Sequence, residues 1–411
     1  MNDGRFDFLT EKLVSMRTAG SVRHLVARRH RGRMLIEPDG QALIHFGSND
    51  YLGFAAQSQS LQPASLKPHA DAEPYAEPDA DLSLAEGGLN SGAGASALVS
   101  GFTPLHAQLC GLLAAWEQTE AAVLFPSGYA ACSGTVATLA EEGDLLLSDE
   151  LNHASLIDGC RLSRATRMIY SHLRADLVED LLISHRQKFA RAWIVTDGVF
   201  GMDGDVAPLE LLCELAKRFD AHLIVDEAHA TGVLGDDGSG LCAELGVKSQ
   251  VAIRIGTLSK AIGSHGGFVV GPQPVIDYLI NRCRPLIFST AGSPLTIAAA
   301  VRAIHTMQAQ PERRAEVRLL AQNLRQQISD SLPGRTPASD VVGVPIVPVI
   351  VGTNELALQA SARLRDAGFY VPAIRPPTVP PGTARLRLSV TSTHQPGDIE
   401  QVVLHLRQAV T

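Results

Sequence analysis

The sequence is poor in aromatic and charged residues, and it has no closely spaced cysteines and no long apolar run. Hydrophobic residues make up 45% of the 411 positions, charged residues 19% and aromatic residues 5%, which argues against a disordered or fibrous chain. The six cysteines form no C-x-x-C pair, so we expect free, mostly buried thiols and no metal site. No segment approaches the roughly 18 apolar residues that a membrane span requires.

Positive charge is also scarce. Lysine and arginine total 35 against 43 acidic residues, which gives a formal net charge of −8. Such a chain has no overall attraction for nucleic acid or anionic lipid. The first residues, MNDGRFDFLTEKL, are acidic and amphipathic where a signal peptide would have an uninterrupted apolar stretch. We therefore expect a cytoplasmic protein with neither a nucleic-acid partner nor a membrane partner.

Three parts are predicted along the chain. Residues 1–47 combine apolar residues at helical spacing with two apolar runs around Pro-Asp-Gly, which predicts an N-terminal arm of a helix and a hairpin. Residues 48–293 should form a large domain and residues 294–411 a smaller C-terminal α/β domain, since one core rarely serves a chain of this length. Residues 57–88 are rich in proline and acids without apolar periodicity, which predicts a surface loop.

Seven short β-rich runs alternate with helical patterns in the middle of the chain. They are AAVLF, DLLLSD, TRMIYS, AWIVTD, HLIVDE, VAIRIGT and GGFVVG. Near-continuous apolar strands separated by amphipathic helices predict an α/β fold with a mostly parallel sheet. Ligands of such sheets bind beyond the carboxyl ends of the strands. The polar clusters SGY, DELNHAS, TDGVFGMDGD, DEAH and TLSK stand at these ends, and we expect them to converge on one crevice.

Asp226 ends one apolar strand, and His229 follows in the next turn. A buried carboxylate needs a partner. A protonated pyridine nitrogen would serve, because the carboxylate keeps the ring cationic and able to accept electrons. His229 would then contact the phenolic oxygen of the ring. A helicase-like DEAH box and a simple strand-end cap are the alternatives, but no G-x-x-x-x-G-K-[ST] motif lies upstream to support a helicase.

Lys260 follows the next strand and precedes a glycine-rich turn. A lysine at this place can form an imine with an aldehyde and can later act as a base. The hydroxyls of Thr257 and Ser259 offer hydrogen bonds to a phosphate. A single lysine in a loop is most often solvated surface, but the order Asp-x-x-His followed by Ser-Lys favours a catalytic residue.

The segments LIVDEAHATGVLG and GTLSKAIGSHGG resemble the α-oxoamine synthase family of fold-type I pyridoxal-phosphate enzymes. The resemblance runs from about Ser48 to the C-terminus, apart from the acidic loop. It implies a large cofactor domain with a mostly parallel seven-stranded sheet and a smaller C-terminal α/β domain. It also implies pyridoxal 5'-phosphate on Lys260, acyl transfer from a thioester to an amino acid with loss of carbon dioxide, and a homodimer with a shared active site.

Further site residues are implied by this resemblance. Those on the cofactor side are His153 on the ring face, and Ser127, Gly128, Tyr129, Ser289 and Thr290 around the phosphate, the last two reaching the neighbouring subunit. Those on the substrate side are Arg23, Asn49, His153, Thr378 and Arg387. Simpler interpretations stay open: Ser127 as an N-cap, His153 as a structural residue, Arg23 as a solvated helix charge and Arg385 in a surface salt bridge.

The segment AIRPPTVPPGTARLRLSV most resembles the branch that condenses L-alanine with pimeloyl-coenzyme A, or its acyl carrier protein equivalent, in biotin biosynthesis. Glycine C-acetyltransferase, 5-aminolevulinate synthase and serine palmitoyltransferase are alternatives within the family. An ordinary fold-type I aminotransferase and a non-catalytic regulator that binds the cofactor are alternatives outside it. Several relatives carry serine where Gly201 stands, so a secondary contact to His229 is in doubt.

Overall fold

In a computed structural model of the chain, residues 5–55 and 90–410 are described, so the predicted loop at 57–88 lies outside the described residues. The helices are α1 (Asp7–Thr18), α2 (Pro104–Glu117), α3 (Gly128–Leu139), α4 (Ala154–Leu162), α5 (Ala175–His185), α6 (Leu209–Arg218), α7 (Leu241–Glu244), α8 (Gln273–Arg282), α9 (Arg284–Ile287), α10 (Pro294–Ala309), α11 (Glu312–Ser331), α12 (Asn354–Asp366) and α13 (Pro396–Val410). Across these described ranges, no helix combines the length and apolarity needed to cross a membrane.

The strands form three sheets. They are β1 (Arg29–Arg31), β2 (Met34–Ile36), β3 (Ala42–His45), β4 (Ala121–Phe125), β5 (Leu145–Asp149), β6 (Thr166–Tyr170), β7 (Ala192–Asp197), β8 (Ala221–Asp226), β9 (Ile253–Thr257), β10 (Gly267–Gly271), β11 (Ile346–Gly352), β12 (Phe369–Tyr370), β13 (Ala373–Ile374) and β14 (Ala384–Ser389). The largest sheet has the order β4-β10-β9-β8-β7-β5-β6, and the smaller ones have the orders β1-β2-β3-β12 and β11-β14-β13.

The largest sheet contains all seven predicted strands. Only β10 runs antiparallel to its neighbours, and the other pairings are parallel. Side chains such as Val123, Val195 and Ile255 pack with Val136 of α3 and Leu156 of α4 in one core. Burying apolar strands between helices explains their near-continuous hydrophobic runs. The predicted α/β fold with a mostly parallel seven-stranded sheet is therefore confirmed.

The described residues divide into two compact units. The larger unit holds residues 90–199 and 207–311 with the seven-stranded sheet, and the smaller unit holds residues 5–55, 200–206 and 312–410 with the other two sheets. This division differs from the three predicted parts, which stay a prediction. The N-terminal hairpin joins the smaller unit because β3 pairs with β12, and α10 joins the larger unit because it packs against α2. All six cysteines are free thiols, as predicted, and five of them are buried.

Candidate active site

The first turn of α3 and the loop after β9 bring polar groups together in the larger unit. Ser127 is the N-cap of α3, and its Oγ accepts a hydrogen bond from the backbone N–H of Ala130 at 3.1 Å. Thr257 Oγ1 lies 2.7 Å from Ser259 Oγ. A Cβ added at Gly128 would come within 3.1 Å of Thr257 Oγ1. This α3 cradle combines the N–H groups of a helix start with two hydroxyls, a donor set that suits a phosphate.

Gly267 lets β10 pass close to the α3 cradle. A Cβ at this position would lie 2.6 Å from the carbonyl oxygen of Ser127 and 2.7 Å from the backbone nitrogen of Gly128, closer than real Cβ contacts occur. Any side chain here would push the strand away from the cradle. The sequence pattern identified GGFVVG only as a strand, because the close approach is made by residues far apart in the chain.

Tyr129 and Thr290, two further predicted phosphate residues, are both exposed in the described chain. The Tyr129 hydroxyl donates to the Asp158 carboxylate, and this bond raises the pKa of the phenol. Thr290 follows α9 and pairs with Ser96 in an isolated antiparallel bridge. Its contact with the phosphate of a neighbouring subunit therefore stays a prediction.

Asp226 ends β8 as a buried carboxylate. Its Oδ1 accepts from the backbone N–H of Ala228 at 2.9 Å, and its Oδ2 accepts from the thiol of Cys132 on α3 at 3.1 Å. His229 follows in the next turn and is also buried. The sequence analysis missed Cys132 because the contact joins residues 94 positions apart. The only local signal was helical spacing, since Cys132 follows Gly128 by one turn of α3.

A buried clamp fixes the turn that carries His153. The Oδ1 of Asn152 accepts from the backbone N–H of Asp197 at 2.9 Å, and its Nδ2 donates to the carbonyl oxygen of Val195 at 2.8 Å. Asp197 Oδ2 in turn accepts from the backbone N–H of His153 at 2.5 Å. The imidazole Nδ1 accepts from the backbone N–H of Ser155. Asn152 and Asp197, which were not singled out from the sequence, therefore orient His153 at the start of α4.

The charges of Asp226 and Lys260 both act on His153 within the larger unit. His153 is exposed in the single chain, yet the surrounding protein excludes enough water to lower its pKa. The Asp226 charge opposes this shift and the Lys260 charge adds to it. Asp197 faces Asp226 across the β7–β8 pairing. Burial, and next the Asp226 charge, raise the pKa of Asp197 well above its ordinary value.

Together these groups fit a phosphorylated pyridine aldehyde. The α3 cradle offers donors for a phosphate, and Asp226 offers a buried acceptor for a protonated ring nitrogen. Lys260 offers the amine that an aldehyde requires. All three lie in the larger unit and follow the carboxyl ends of β4, β8 and β9, where ligands of open α/β sheets bind.

Arg387 lies in β14 of the smaller unit and is only 4% exposed. Its Nε donates to the carbonyl oxygen of Gly201 at 2.5 Å, and its Nη1 donates to Ser389 Oγ at 2.8 Å. Both terminal nitrogens donate to Asn49 Oδ1 at 3.1 Å. The amide oxygen of Asn49 thus occupies the fork in which a carboxylate oxygen would bind. At position 201, where several relatives carry serine, the glycine offers Arg387 its backbone carbonyl but has no side-chain hydroxyl.

Arg385 lies two residues earlier on the same face of β14 and is equally buried. It forms an ion pair with Asp203, of which only 17% of the side chain is exposed. The alternative interpretation of Arg385 as part of a surface salt bridge was right that Arg385 forms an ion pair, but wrong that the pair lies at the surface. Arg385 and Arg387 together hold residues 200–206 against β14.

Arg23 and Thr378, both predicted to contact a substrate, are brought together in the smaller unit. Arg23 Nη2 donates to Thr378 Oγ1 at 2.8 Å. Arg23 also lines an open cavity of about 580 Å³, whose other cationic or titratable residues are Arg17, His24 and Arg375. Burial, and next the charge of Arg23, lower the pKa of Arg375. None of the described residues that line this cationic cavity is acidic, so its charges suit an anionic ligand.

The chain is similar to known proteins over most of its length. Residues 41–406 match the family model described as aminotransferase class I and II. An 8-amino-7-oxononanoate synthase of Lysinibacillus sphaericus is 41% identical over 375 residues, 90% of this chain and 89% of that protein. One of Anaeromyxobacter dehalogenans is 40% identical over 400 residues, 97% of this chain and 94% of that protein.

The chain is also similar to solved structures of serine palmitoyltransferases. A serine palmitoyltransferase variant from S. paucimobilis, solved with a bound PLP-myriocin aldimine, has a TM-score of 0.84 and 27% identity, covering 99% of this chain and 97% of that chain. The α3 cradle, Asp226 and Lys260 supply the groups that this cofactor needs. The chain therefore belongs to the class I and II aminotransferase family and, within it, to the α-oxoamine synthases, whose cofactor is pyridoxal phosphate.

Proposed function

We propose that this chain condenses L-alanine with a pimeloyl thioester, releasing carbon dioxide and the thiol and forming 8-amino-7-oxononanoate. The observation that carries the proposal is that Asp226 ends β8 and Lys260 follows the neighbouring β9, in a chain about 40% identical over nearly its full length to synthases named for this product. The thiol carrier is coenzyme A or acyl carrier protein.

Lys260 and Asp226 have the central roles. Pyridoxal phosphate, when bound, supplies an electron sink at the α-carbon of the amino acid. The Lys260 amine would hold the cofactor aldehyde, and its Nζ would be the base for the proton of the alanine α-carbon. Asp226 would accept a hydrogen bond from the ring nitrogen and so favour its protonated form. The phosphate is assigned to Ser127, Gly128, Tyr129, Thr257 and Ser259, with Thr290 contributed by a second subunit.

His153 is assigned to the ring face and to the acyl oxygen. Its Nδ1 accepts from the Ser155 backbone, so a neutral ring carries its proton on Nε2. The lowered pKa keeps the ring in this form at neutral pH. Nε2–H can then donate to the acyl oxygen as the new carbon–carbon bond forms. His229, buried in the turn after Asp226, is assigned to the phenolic oxygen of the cofactor.

The substrate contacts are assigned to residues of the smaller unit. Arg387 is assigned to the alanine carboxylate, which would replace Asn49 Oδ1 in the guanidinium fork. Arg23 and Thr378 are assigned to the acyl chain. The cationic cavity around Arg23 favours a chain that ends in a second carboxylate, as pimeloyl and succinyl chains do. Acetyl and palmitoyl chains have no such charge, so glycine C-acetyltransferase and serine palmitoyltransferase activities are less favoured.

A panel of acyl thioesters with alanine, glycine and serine tests the substrate assignment. Thiol release, carbon dioxide release and the mass of the product should be greatest for alanine with the pimeloyl thioester. Preference for glycine with the succinyl thioester would indicate 5-aminolevulinate synthesis instead. Accumulation of pyridoxamine phosphate with alanine alone would indicate an aminotransferase, and a bound cofactor without thiol release from any pair would indicate a non-catalytic regulator.

We also infer a homodimer. Exposed apolar side chains surround the segment that bears Thr290, namely Leu98, Val99, Phe102 and Phe288. Large exposed apolar patches of this kind mark association surfaces. Light scattering should give twice the chain mass, and Phe288→Glu should shift it toward the monomer. A monomeric parent with full activity would contradict the shared site.

A further inference from the structure

We propose that Cys132 is a positioning residue, whose thiol donates a hydrogen bond to Asp226 Oδ2 and holds the carboxylate toward the ring nitrogen of the cofactor. The proposal rests on the proposed function, which assigns Asp226 to that nitrogen. The sulfur lies 3.1 Å from Oδ2, and both residues are buried. A buried carboxylate depends on such donors for its orientation, because water is excluded.

The thiol remains a donor throughout the working pH range. Burial, and next the charge and hydrogen bond of Asp226, raise the pKa of Cys132 well above its ordinary value, while the Ser155 hydroxyl acts in the opposite direction. Ser155 Oγ also lies 2.7 Å from His153 Nδ1. Cys132 therefore lies between Ser155, which contacts His153 of the ring face, and Asp226, which is assigned to the ring nitrogen.

Helix α3 gives this bond a geometric consequence. Gly128 begins the helix at the α3 cradle, and Cys132 lies four residues later on the same face, a rise of about 6 Å. One rigid helix thus bonds the cofactor phosphate at its start and the Asp226 carboxylate one turn later. Loss of the thiol donor would leave Asp226 with the Ala228 N–H on Oδ1 and would loosen the nitrogen end of the cofactor.

Two matched pairs of variants separate donation from packing. Cys132→Thr and Cys132→Val introduce side chains of nearly the same volume, but only threonine has a hydroxyl that can donate a hydrogen bond. Cys132→Ser and Cys132→Ala repeat the comparison with smaller side chains. Each holoenzyme is diluted into an excess of an unrelated enzyme stripped of pyridoxal phosphate, and release is followed by the activity that this acceptor enzyme gains. Thermal midpoints of the same samples report packing.

We expect Thr and Ser to release the cofactor at nearly the parent rate, and Val and Ala to release it about three- to tenfold faster. The proposal is overturned if Val matches the parent while Ser does not, or if all variants release equally. Borohydride reduction of the parent separates the two levels of inference. If the cofactor's mass is found on Lys260 and the release rates are equal, only the role of Cys132 is refuted. If Lys260 carries no added mass, the proposed function is refuted and this inference with it.

Discussion

Replacement of Arg387 by lysine tests whether this guanidinium binds the amino-acid carboxylate. Lysine keeps the positive charge but cannot fork onto two oxygens. The lost interaction is a charge-assisted hydrogen bond of about 1.5–3 kcal/mol, so alanine affinity should fall about ten- to hundredfold. The visible spectrum of the cofactor should not change, because Arg387 has no assigned contact with it. The dissociation constant of alanine is read from the spectral change on titration, without turnover.

Arg385→Lys is the matched control. Arg385 lies on the same face of β14, is equally buried and forms an ion pair with Asp203, so its replacement also removes contacts to residues 200–206. Both variants should lose comparable thermal stability, but only Arg387→Lys should weaken alanine binding. Equal alanine affinities in the two variants would show that Arg387 is structural. A loss of thioester affinity with unchanged alanine affinity would place it in the acyl site instead.

Three further substitutions test neighbouring assignments. Lys260→Ala should lose covalent cofactor on borohydride reduction, and mass on another lysine would refute the assignment. Asn49→Asp places a permanent carboxylate in the guanidinium fork at 3.1 Å, so alanine affinity should fall at least tenfold without loss of thermal stability, whereas unchanged affinity would mean that alanine binds elsewhere. Asp197→Asn keeps an acceptor for the His153 N–H and removes a buried charge. Because the folded-state pKa of Asp197 is raised, stability falls as pH rises above its unfolded pKa of about 3.9. The variant should therefore exceed the parent's thermal midpoint by more at pH 8 than at pH 5, and a smaller gain at pH 8 would contradict this.

The sequence was sufficient for the seven strands and for pyridoxal phosphate as the cofactor, while the roles of the individual site residues stay predictions. Most of these strands are buried apolar runs, several end in a polar cluster, and Asp226 and Lys260 lie in two of those clusters. Contacts across the fold could not be predicted in this way. The Cys132 bond to Asp226 and the Asn49 oxygen in the Arg387 fork join residues far apart in the chain.

The domain boundaries illustrate the same limit. Residues 200–206 follow β7 directly, and their sequence reads as one more polar cluster of the large domain. Their grouping with the smaller unit depends on bonds from Arg385 and Arg387, which come more than 180 residues later. Periodicity describes the face that an element buries, but it does not identify the distant partner that covers it.

The position of β4 at the edge of the seven-stranded sheet determines when the chain can first hold its cofactor during synthesis. Among the described strands its only neighbour is β10, and all of β5 to β9 is translated between them. At roughly 5–20 residues per second, β4 leaves the ribosome on the order of ten seconds before β10. The α3 cradle, which follows β4 and is passed closely by Gly267, therefore stays incomplete on the nascent chain until β10 has emerged. Pyridoxal phosphate should bind only after most of the larger unit has been made.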